Sequence, residues 1–235
     1  MADRWEPVQV DGQPMRAFVA SPDGPGPFAA IVVIMHGPGV DAFVEEMTRR
    51  VAAAGYVGIA PDLYHRQDAS AEIPVMDRVR ALRDEEIIRD VNATVSHLSD
   101  QSSVRADRTG IMGFCMGGRV VYMMAAVNPA FRAAAAFYGG NTMVAMGDGP
   151  SPFQRLGDTV CPVLGFFGED DGNPSPEDMK KLDDELTRHG KAHEFHSFPG
   201  TGHGYMNFNN ESMHREDAAR ASWEITLAFL ERHLS

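Results

Sequence analysis

Short apolar runs alternate along the chain with longer segments in which apolar residues recur every three or four positions. Seven of the runs predict strands, and several contain almost no polar residue, as expected for strands that are covered on both faces. Between them, helical spacing is seen for example at Phe43, Met47 and Val51. This alternation predicts an α/β fold with a mostly parallel central sheet flanked by helices on both faces. The predicted strands are 15–20, 30–35, 56–60, 109–114, 133–138, 162–167 and 193–197.

Three further helices are predicted from apolar stripes. The helix with the stripe Met179, Leu182 and Leu186 has a clear beginning at Ser175-Pro176-Glu177-Asp178, where a capping residue precedes a first-turn proline and two acids. Gly190 ends this helix. Because no internal repeat interrupts the pattern, we interpret 1–235 as a single domain. The stripes are Ile88, Val91, Val95 and Leu98; Met179, Leu182 and Leu186; and Trp223, Leu227, Leu230 and Leu234.

Composition and charge exclude several classes of protein. The formal net charge is −12, and no basic cluster is longer than a pair, so nucleic acid is not an expected partner. The most apolar run, 28–35, is too short to cross a bilayer, so no membrane association is expected. The polar first residues lack the apolar centre of a signal peptide, and two cysteines do not suggest an oxidising compartment. We therefore expect a soluble, cytoplasmic protein.

The segment with the clearest chemical meaning is Gly113-Phe114-Cys115-Met116-Gly117, which joins a predicted strand to a predicted helix. This is the nucleophile elbow, with cysteine in place of serine. So sharp a turn strains the backbone of the nucleophile and leaves no room for a side chain two positions before or after it. Gly113 and Gly117 meet this requirement because they have no side chain. The beginning of a helix also favours a thiolate, which is the nucleophilic form of cysteine.

Such a nucleophile needs a base and a residue that orients the base, and in this fold the order along the chain is nucleophile, acid, histidine. The acid follows the predicted strand 162–167, where the Gly-x-x-Asp spacing from Gly168 favours Asp171 over the neighbouring Asp170. A histidine flanked by glycines, His203, follows the last predicted strand. We therefore predict Cys115, Asp171 and His203 as a catalytic triad.

A glycine-rich turn, His36-Gly37-Pro38-Gly39, follows the predicted strand 30–35. The backbone N–H groups of Gly37 and Met116 are predicted to form an oxyanion hole beside the nucleophile. Two roles remain open for His36: a hydrogen bond that holds the turn, or a position facing the thiol that tunes its ionisation.

With these features in place, the sequence resembles the dienelactone hydrolase family of α/β-hydrolases, the carboxymethylenebutenolidase-like enzymes. The resemblance covers nearly the whole chain, and the cysteine nucleophile separates the family from the serine esterases of the same fold. The motifs that carry it, in order, are Ala54-Gly55-Tyr56, Ala60-Pro61-Asp62-Leu63-Tyr64, Gly113-Phe114-Cys115-Met116-Gly117-Gly118, Phe137-Tyr138-Gly139, Phe167-Gly168-Glu169-Asp170-Asp171 and Gly202-His203-Gly204-Tyr205.

The resemblance implies that Cys115, Asp171 and His203 are the family's triad. It also marks two departures from the enzymes that act on dienelactone: His36 stands where they carry a glutamate, and Asn207 where they carry an arginine that binds the substrate carboxylate. Arg78 and Arg80 could bind an anion instead, although a solvated helix face is the interpretation that we favour. Four residues at strand ends or beside the triad are candidates for the pocket lining: His36, Tyr64, Tyr138 and Asn207.

The predicted reaction is hydrolysis of a lactone or an activated ester through a thioester on Cys115. Two alternatives stay open: hydrolysis of xenobiotic aryl esters or thioesters by the same triad, and a non-hydrolytic thiol redox or binding protein. A redox role would need Cys161 as partner, and the predicted topology puts it at the opposite edge of the sheet. No metal or organic cofactor is expected, because the chain lacks the corresponding motifs. The expected partner is a small-molecule ester or lactone, bound by a monomer or a small homo-oligomer.

Overall fold

In the computed structural model, which describes residues 1–68 and 70–235, eight strands form one central sheet in the order β1-β2-β4-β3-β5-β6-β7-β8. Strands β3 to β8 run parallel, whereas β2 is antiparallel to both β1 and β4. The mostly parallel α/β fold is therefore confirmed. The strands are β1 (Ala2–Val10), β2 (Gln13–Ser21), β3 (Phe28–Ile34), β4 (Val57–Pro61), β5 (Val104–Phe114), β6 (Phe131–Phe137), β7 (Val163–Gly168) and β8 (His193–Phe198).

Helices connect the parallel strands and cover both faces of the sheet. Right-handed crossovers place α1, between β3 and β4, on the face opposite α3, between β4 and β5. Helices α4 and α6 contact the same two strands, β5 and β6, from opposite faces. The helices are α1 (Ala42–Ala53), α2 (Val75–Arg80), α3 (Asp84–Ser99), α4 (Met116–Val127), α5 (Pro176–Arg188) and α6 (Glu216–Leu234), with a short 3₁₀ helix at Phe153–Asp158.

Each of the seven predicted strands corresponds to one of β2 to β8, because these strands are apolar enough to be read from the sequence. The edge strand β1 was missed. It is mostly exposed and contains Pro7, which pairs with Arg16 of β2. An edge strand needs hydrogen bonds along one side only, so it tolerates a proline and polar residues that a central strand would exclude.

Two helices bury a different stripe from the predicted one. In α6, Ser222 and Thr226 are fully buried, whereas Trp223 is only half-buried. The two buried hydroxyls donate hydrogen bonds of 2.7 Å to backbone oxygens four residues earlier. In α3, Asp90 is buried and accepts two hydrogen bonds of 2.7 Å from Arg66. Polar side chains with such partners can occupy buried positions that an apolar pattern does not reveal.

The carboxyl ends of the parallel strands bring several connecting segments to one edge of the sheet. The turn at 36–39 follows β3, Cys115 follows β5, Tyr138 follows β6, Asp171 follows β7 and His203 follows β8. In open α/β sheets, this edge is the usual position of a ligand site.

Candidate active site

Cys115 lies at the turn between β5 and α4, where it is the N-cap of the helix. Its backbone angles are φ 55° and ψ −116°, in the left-handed region that a residue with a Cβ rarely adopts. The Cys115 N–H donates a 3.0 Å hydrogen bond to the Phe137 carbonyl oxygen, which ties the turn to β6. The thiol is thereby held at the beginning of a helix with its side chain partly exposed.

The two glycines that flank Cys115 are sterically required. A Cβ at Gly117 would lie 2.5 Å from the Ile34 carbonyl oxygen, and one at Gly113 would overlap the backbone of Gly117. Because both obstacles are backbone atoms, neither can move aside as a flexible side chain would. The turn can therefore form only with glycine at both positions. This steric requirement was predicted from the sequence.

His203 and Asp171 are joined by a hydrogen bond of 2.8 Å between Nδ1 and Oδ2. The second oxygen of Asp171 accepts a 2.8 Å bond from the Asn173 N–H, so both carboxylate oxygens have partners. The neighbouring Asp170 is exposed, and its backbone N–H bonds to Thr201. Of the two adjacent aspartates, Asp171 is therefore the one that can orient the imidazole, and it does so through Nδ1 and not through Nε2.

The electrostatic surroundings of His203 favour its protonated form. Burial lowers the pKa of His203. Hydrogen bonds with Asp171 and Cys115 and the charges of these two groups have a larger, opposite effect and raise the pKa from its ordinary 6.5 to about 10. The ring edge of Tyr138 packs against the imidazole at a centroid distance of 5.1 Å, and burial raises the pKa of Tyr138 well above its ordinary value. The pKa of His203 is thus raised beside the sulfur atom, while the aromatic ring against which the imidazole packs remains neutral.

The turn after β3 is held by hydrogen bonds on both sides of Gly37. The Tyr64 hydroxyl donates a 2.6 Å bond to the Gly37 carbonyl oxygen, and the Gly39 N–H bonds to the His36 carbonyl oxygen at 2.9 Å. Met116 is the first residue of α4, and the first N–H groups of a helix have no acceptor within the helix. Gly37 and Met116 line the same cavity as Cys115, which makes their backbone N–H groups the candidates for binding a developing negative charge.

A cavity of about 1080 Å³ opens over Cys115. Its wall includes all five residues predicted for the triad and the oxyanion hole: Gly37, Cys115, Met116, Asp171 and His203. A thiol, an imidazole bonded to a carboxylate and two backbone donors facing one cavity are the groups that acyl transfer requires.

The four candidates for the pocket lining are near these residues but not on the cavity wall. His36 Nε2 lies 2.9 Å from a carboxylate oxygen of Asp41, the N-cap of α1, a contact that favours the first of its two predicted roles. This contact is also one reason why the pKa of Asp41 is lowered, although burial opposes it. The Asn207 side chain accepts a bond from the Asn209 N–H within its own loop.

Tyr64 and Tyr138 also act from behind the wall, since Tyr64 bonds the Gly37 carbonyl oxygen and Tyr138 packs on His203. Burial raises the pKa of Tyr64 to about 12, so its hydroxyl remains a donor. Arg78 stacks on the Tyr64 ring at 4.1 Å, whereas Arg80 lines the cavity and pairs with Asp77. His36, Tyr64, Tyr138 and Asn207 were selected for their positions at strand ends or beside the triad, which do not distinguish the wall from the residues behind it.

Sequence reasoning missed a buried ion pair beneath one side of the cavity. Arg119 of α4 donates bonds of 2.5 and 2.9 Å to the two carboxylate oxygens of Asp84 in α3. Arg119 also bonds the Val144 carbonyl oxygen, and Asp84 accepts a 2.9 Å bond from the Met146 N–H. The pair thereby fixes the segment 141–148, most of which lines the cavity. The sequence signal for this ion pair was Arg119 itself, a charged residue in an otherwise apolar helix.

The sequence also matches a known protein family over most of its length. The model of the dienelactone hydrolase family matches residues 15–234. The chain belongs to the dienelactone hydrolase family. It is accordingly a dienelactone hydrolase-like hydrolase with the α/β-hydrolase fold.

Relatives of this family member match along nearly their whole length. A Bradyrhizobium protein named "Probable 2-oxo-3-(5-oxofuran-2-ylidene)propanoate lactonase" is 28% identical over 98% of this chain and 94% of its own. A Synechocystis protein named "Putative carboxymethylenebutenolidase" is 31% identical over 90% of this chain and 89% of its own. The crystal structure of a "Putative Dienelactone Hydrolase" from Klebsiella pneumoniae superposes with a TM-score of 0.90 at 26% identity, covering 99% of each chain.

Two further observations concern the described chain as a whole. Within residues 1–68 and 70–235, no helix has the length and apolar character needed to cross a membrane. In the same described part of the chain, no three His, Cys, Asp or Glu side chains converge in a geometry suited to a metal ion.

Proposed function

We propose that the protein hydrolyses lactones or activated esters through a thioester formed on Cys115. The observation that carries this proposal is the 2.8 Å bond between Asp171 and His203 in the cavity that also contains Cys115. In the proposed triad, Cys115 is the nucleophile, His203 the acid and base, and Asp171 the residue that orients the imidazole.

The reaction begins with a thiolate and an imidazolium. A cation beside the sulfur atom and the N-terminus of α4 both favour the thiolate. The sulfur atom attacks the carbonyl carbon of the substrate, and the N–H groups of Gly37 and Met116 bind the resulting oxyanion. When the tetrahedral intermediate collapses, the C–O bond breaks and His203 transfers its proton to the leaving oxygen. The products of this half are a thioester and an alcohol or an enol, which stays tethered when the substrate is a lactone.

The second half of the reaction returns the enzyme to its starting state. Neutral His203 accepts a proton from water, and the hydroxide attacks the thioester carbon. The C–S bond breaks, which releases the acid and restores the thiolate and the imidazolium. Because thiolate is a better leaving group than an ordinary alkoxide, substrates with activated leaving groups such as enols are preferred over amides.

A redox function is disfavoured by the position of the second cysteine. Both cysteines are free, and Cys161 is buried before the amino end of β7, whereas Cys115 follows the carboxyl end of β5. Burial raises the pKa of the Cys161 thiol to about 12, so it remains a neutral, unreactive thiol. The thiol that a disulfide exchange would need is thus absent from the surroundings of Cys115. We also propose that the protein acts in the cytoplasm, as the sequence predicts.

The test is hydrolysis by the purified protein of a dienelactone, a simple enol lactone, an aryl ester and an acyl thioester. Cys115→Ala is expected to abolish turnover of every substrate that the wild type accepts, and Cys161→Ala, the control cysteine, is expected to retain it. Mass spectrometry of Cys115→Ala and wild type after rapid quenching should detect an acyl adduct on the wild type only. Turnover that survives in Cys115→Ala would refute the thioester mechanism, and turnover limited to aryl esters or thioesters would exclude the lactone substrates.

A further inference from the structure

Among the exposed large apolar side chains of the described residues, two line the proposed catalytic cavity, and two more adjoin one of them along the chain. Val144 is 56% exposed and Met76 is 54% exposed, and both line the cavity. Ile73 and Val75, which are 38% and 43% exposed, lie on the same segment as Met76. We call these four residues the apolar rim. Exposed apolar residues that adjoin a cavity are candidates for a ligand-binding surface.

The rim is continuous with the reacting centre. A Cβ at Gly37 would lie 3.1 Å from Val75 Cγ1 and 3.7 Å from Val79 Cγ2, so α2 passes directly over the turn that carries the oxyanion donor. On the other side, Met116 and Met146 lie on the cavity wall. An apolar group attached to the scissile ester would therefore contact the rim while the carbonyl group lies at Cys115.

Both sides of the rim are held by hydrogen bonds, so the exposed side chains are presented by a fixed backbone. Val144 is anchored through its carbonyl oxygen to the buried guanidinium of Arg119. Helix α2 is attached through the Arg78 carbonyl oxygen, which accepts a 2.9 Å bond from the Gln67 amide. A preformed apolar surface gains affinity for an apolar ligand, because little ordering is required on binding.

From this arrangement we propose that the apolar rim binds an apolar substituent of the substrate, so that esters or lactones with alkyl or aryl groups of several carbons are preferred over small polar ones. The inference rests on the proposed hydrolase function and names its substrate class. Outside the proposed triad, the charged residues on the wall are Arg80, Arg83, Arg119 and Asp148. Arg80 pairs with Asp77 and Arg119 with Asp84, and Arg83 donates hydrogen bonds to the backbone oxygens of Arg80 and Leu82. An apolar substituent would contact the rim beside these groups.

The size of the effect follows from the transfer of methylene groups out of water. Complete burial corresponds to about a fourfold gain in affinity per methylene. For a chain half covered at an open mouth, we expect about twofold per methylene, and thus roughly tenfold or more between an acetyl and a hexanoyl ester. The quantity that measures this preference is kcat/KM for each ester, divided by its rate of hydrolysis by hydroxide.

The experiment uses para-nitrophenyl esters from acetate to octanoate, and para-alkylphenyl acetates as a second series in which the alcohol carries the apolar group. Val144→Ser and Met76→Ser are expected to reduce the hexanoate-to-acetate ratio by about threefold each, because a serine hydroxyl replaces apolar contact area. Val160→Ser is the matched control, since Val160 is 54% exposed but lies outside the cavity. A preference in only one series identifies which part of the substrate contacts the rim.

Two results would overturn the inference while leaving the proposed function intact: a flat ratio along both series in the wild type, or an equal loss in Val160→Ser and Val144→Ser. Turnover of short esters that depends on Cys115 would in either case still support the hydrolase. If the wild type hydrolyses lactones but no ester of either series, the proposed function stands and the inference fails. If it hydrolyses neither the esters nor the lactones, the proposed function fails, and the inference fails with it.

Discussion

Replacing Asp84 with alanine removes the carboxylate that neutralises the Arg119 guanidinium, which is buried in the cavity wall. The side chains of Arg119 and Asp84 are 2% and 5% exposed, so water cannot replace the lost partner. Removing one member of a buried ion pair costs about 3–5 kcal/mol, because the other charge is left buried without compensation. Asp84→Ala also removes the acceptor of the Met146 N–H, so we expect a loss at the upper end of this range.

The assay is equilibrium unfolding in urea, supported by thermal denaturation. For a chain of this size a loss of 3–5 kcal/mol corresponds to a decrease in Tm of roughly 6–20 °C. The control is Asp217→Ala, which removes a 2.9 Å pair with Arg220 in which the aspartate side chain is 95% exposed. That variant should lose less than about 1 kcal/mol.

A double variant distinguishes the charge effect from a loss of packing. In Asp84→Leu with Arg119→Met, both charges are removed, so the loss of stability is expected to be smaller than in Asp84→Ala. If Asp84→Ala destabilised the protein no more than Asp217→Ala, the argument that this pair supports the cavity wall would be refuted.

Two further predictions concern the residues around Cys115. Asp171→Asn is expected to lower the pKa of His203 from about 10, because it removes a charged acceptor, and NMR titration of the imidazole nitrogens would measure the change. Since the folded pKa lies above the ordinary 6.5, the stabilisation from His203 is complete below about pH 6.5 and is lost as the pH rises through about 10. The free energy of unfolding of the wild type should show this decline, and that of Asp171→Asn should show less of it. An unchanged His203 pKa in the variant would contradict the assignment of Asp171 as the partner of the imidazole. Tyr64→Phe removes the donor to the Gly37 carbonyl oxygen and should lower kcat about fivefold with KM unchanged, as expected for a loss of about 1 kcal/mol in positioning. A rise in KM alone would show that Tyr64 serves substrate binding instead.

The features that could be predicted from sequence are those whose physical cause is local. A parallel strand buried on both faces must be apolar along its length, which is why 109–114 and 162–167 were recognised. The turn at Cys115 requires glycine on both sides because of backbone overlap, so a short motif was sufficient to locate it. The order of the strands then brought Asp171 and His203 to the same edge of the sheet.

The features that only the tertiary structure decided depend on a partner that is distant along the chain. Arg119 is buried because Asp84, 35 positions earlier, neutralises it. Ser222 combines a local bond to the Ala218 carbonyl oxygen with a bond to the Tyr205 hydroxyl, 17 positions earlier. A hydropathy pattern assigns each of these polar residues to the surface, since it records the cost of burial but not the partner that offsets it. The shape of the cavity mouth has the same origin, because it depends on how α2 and the segment 141–148 are held relative to each other.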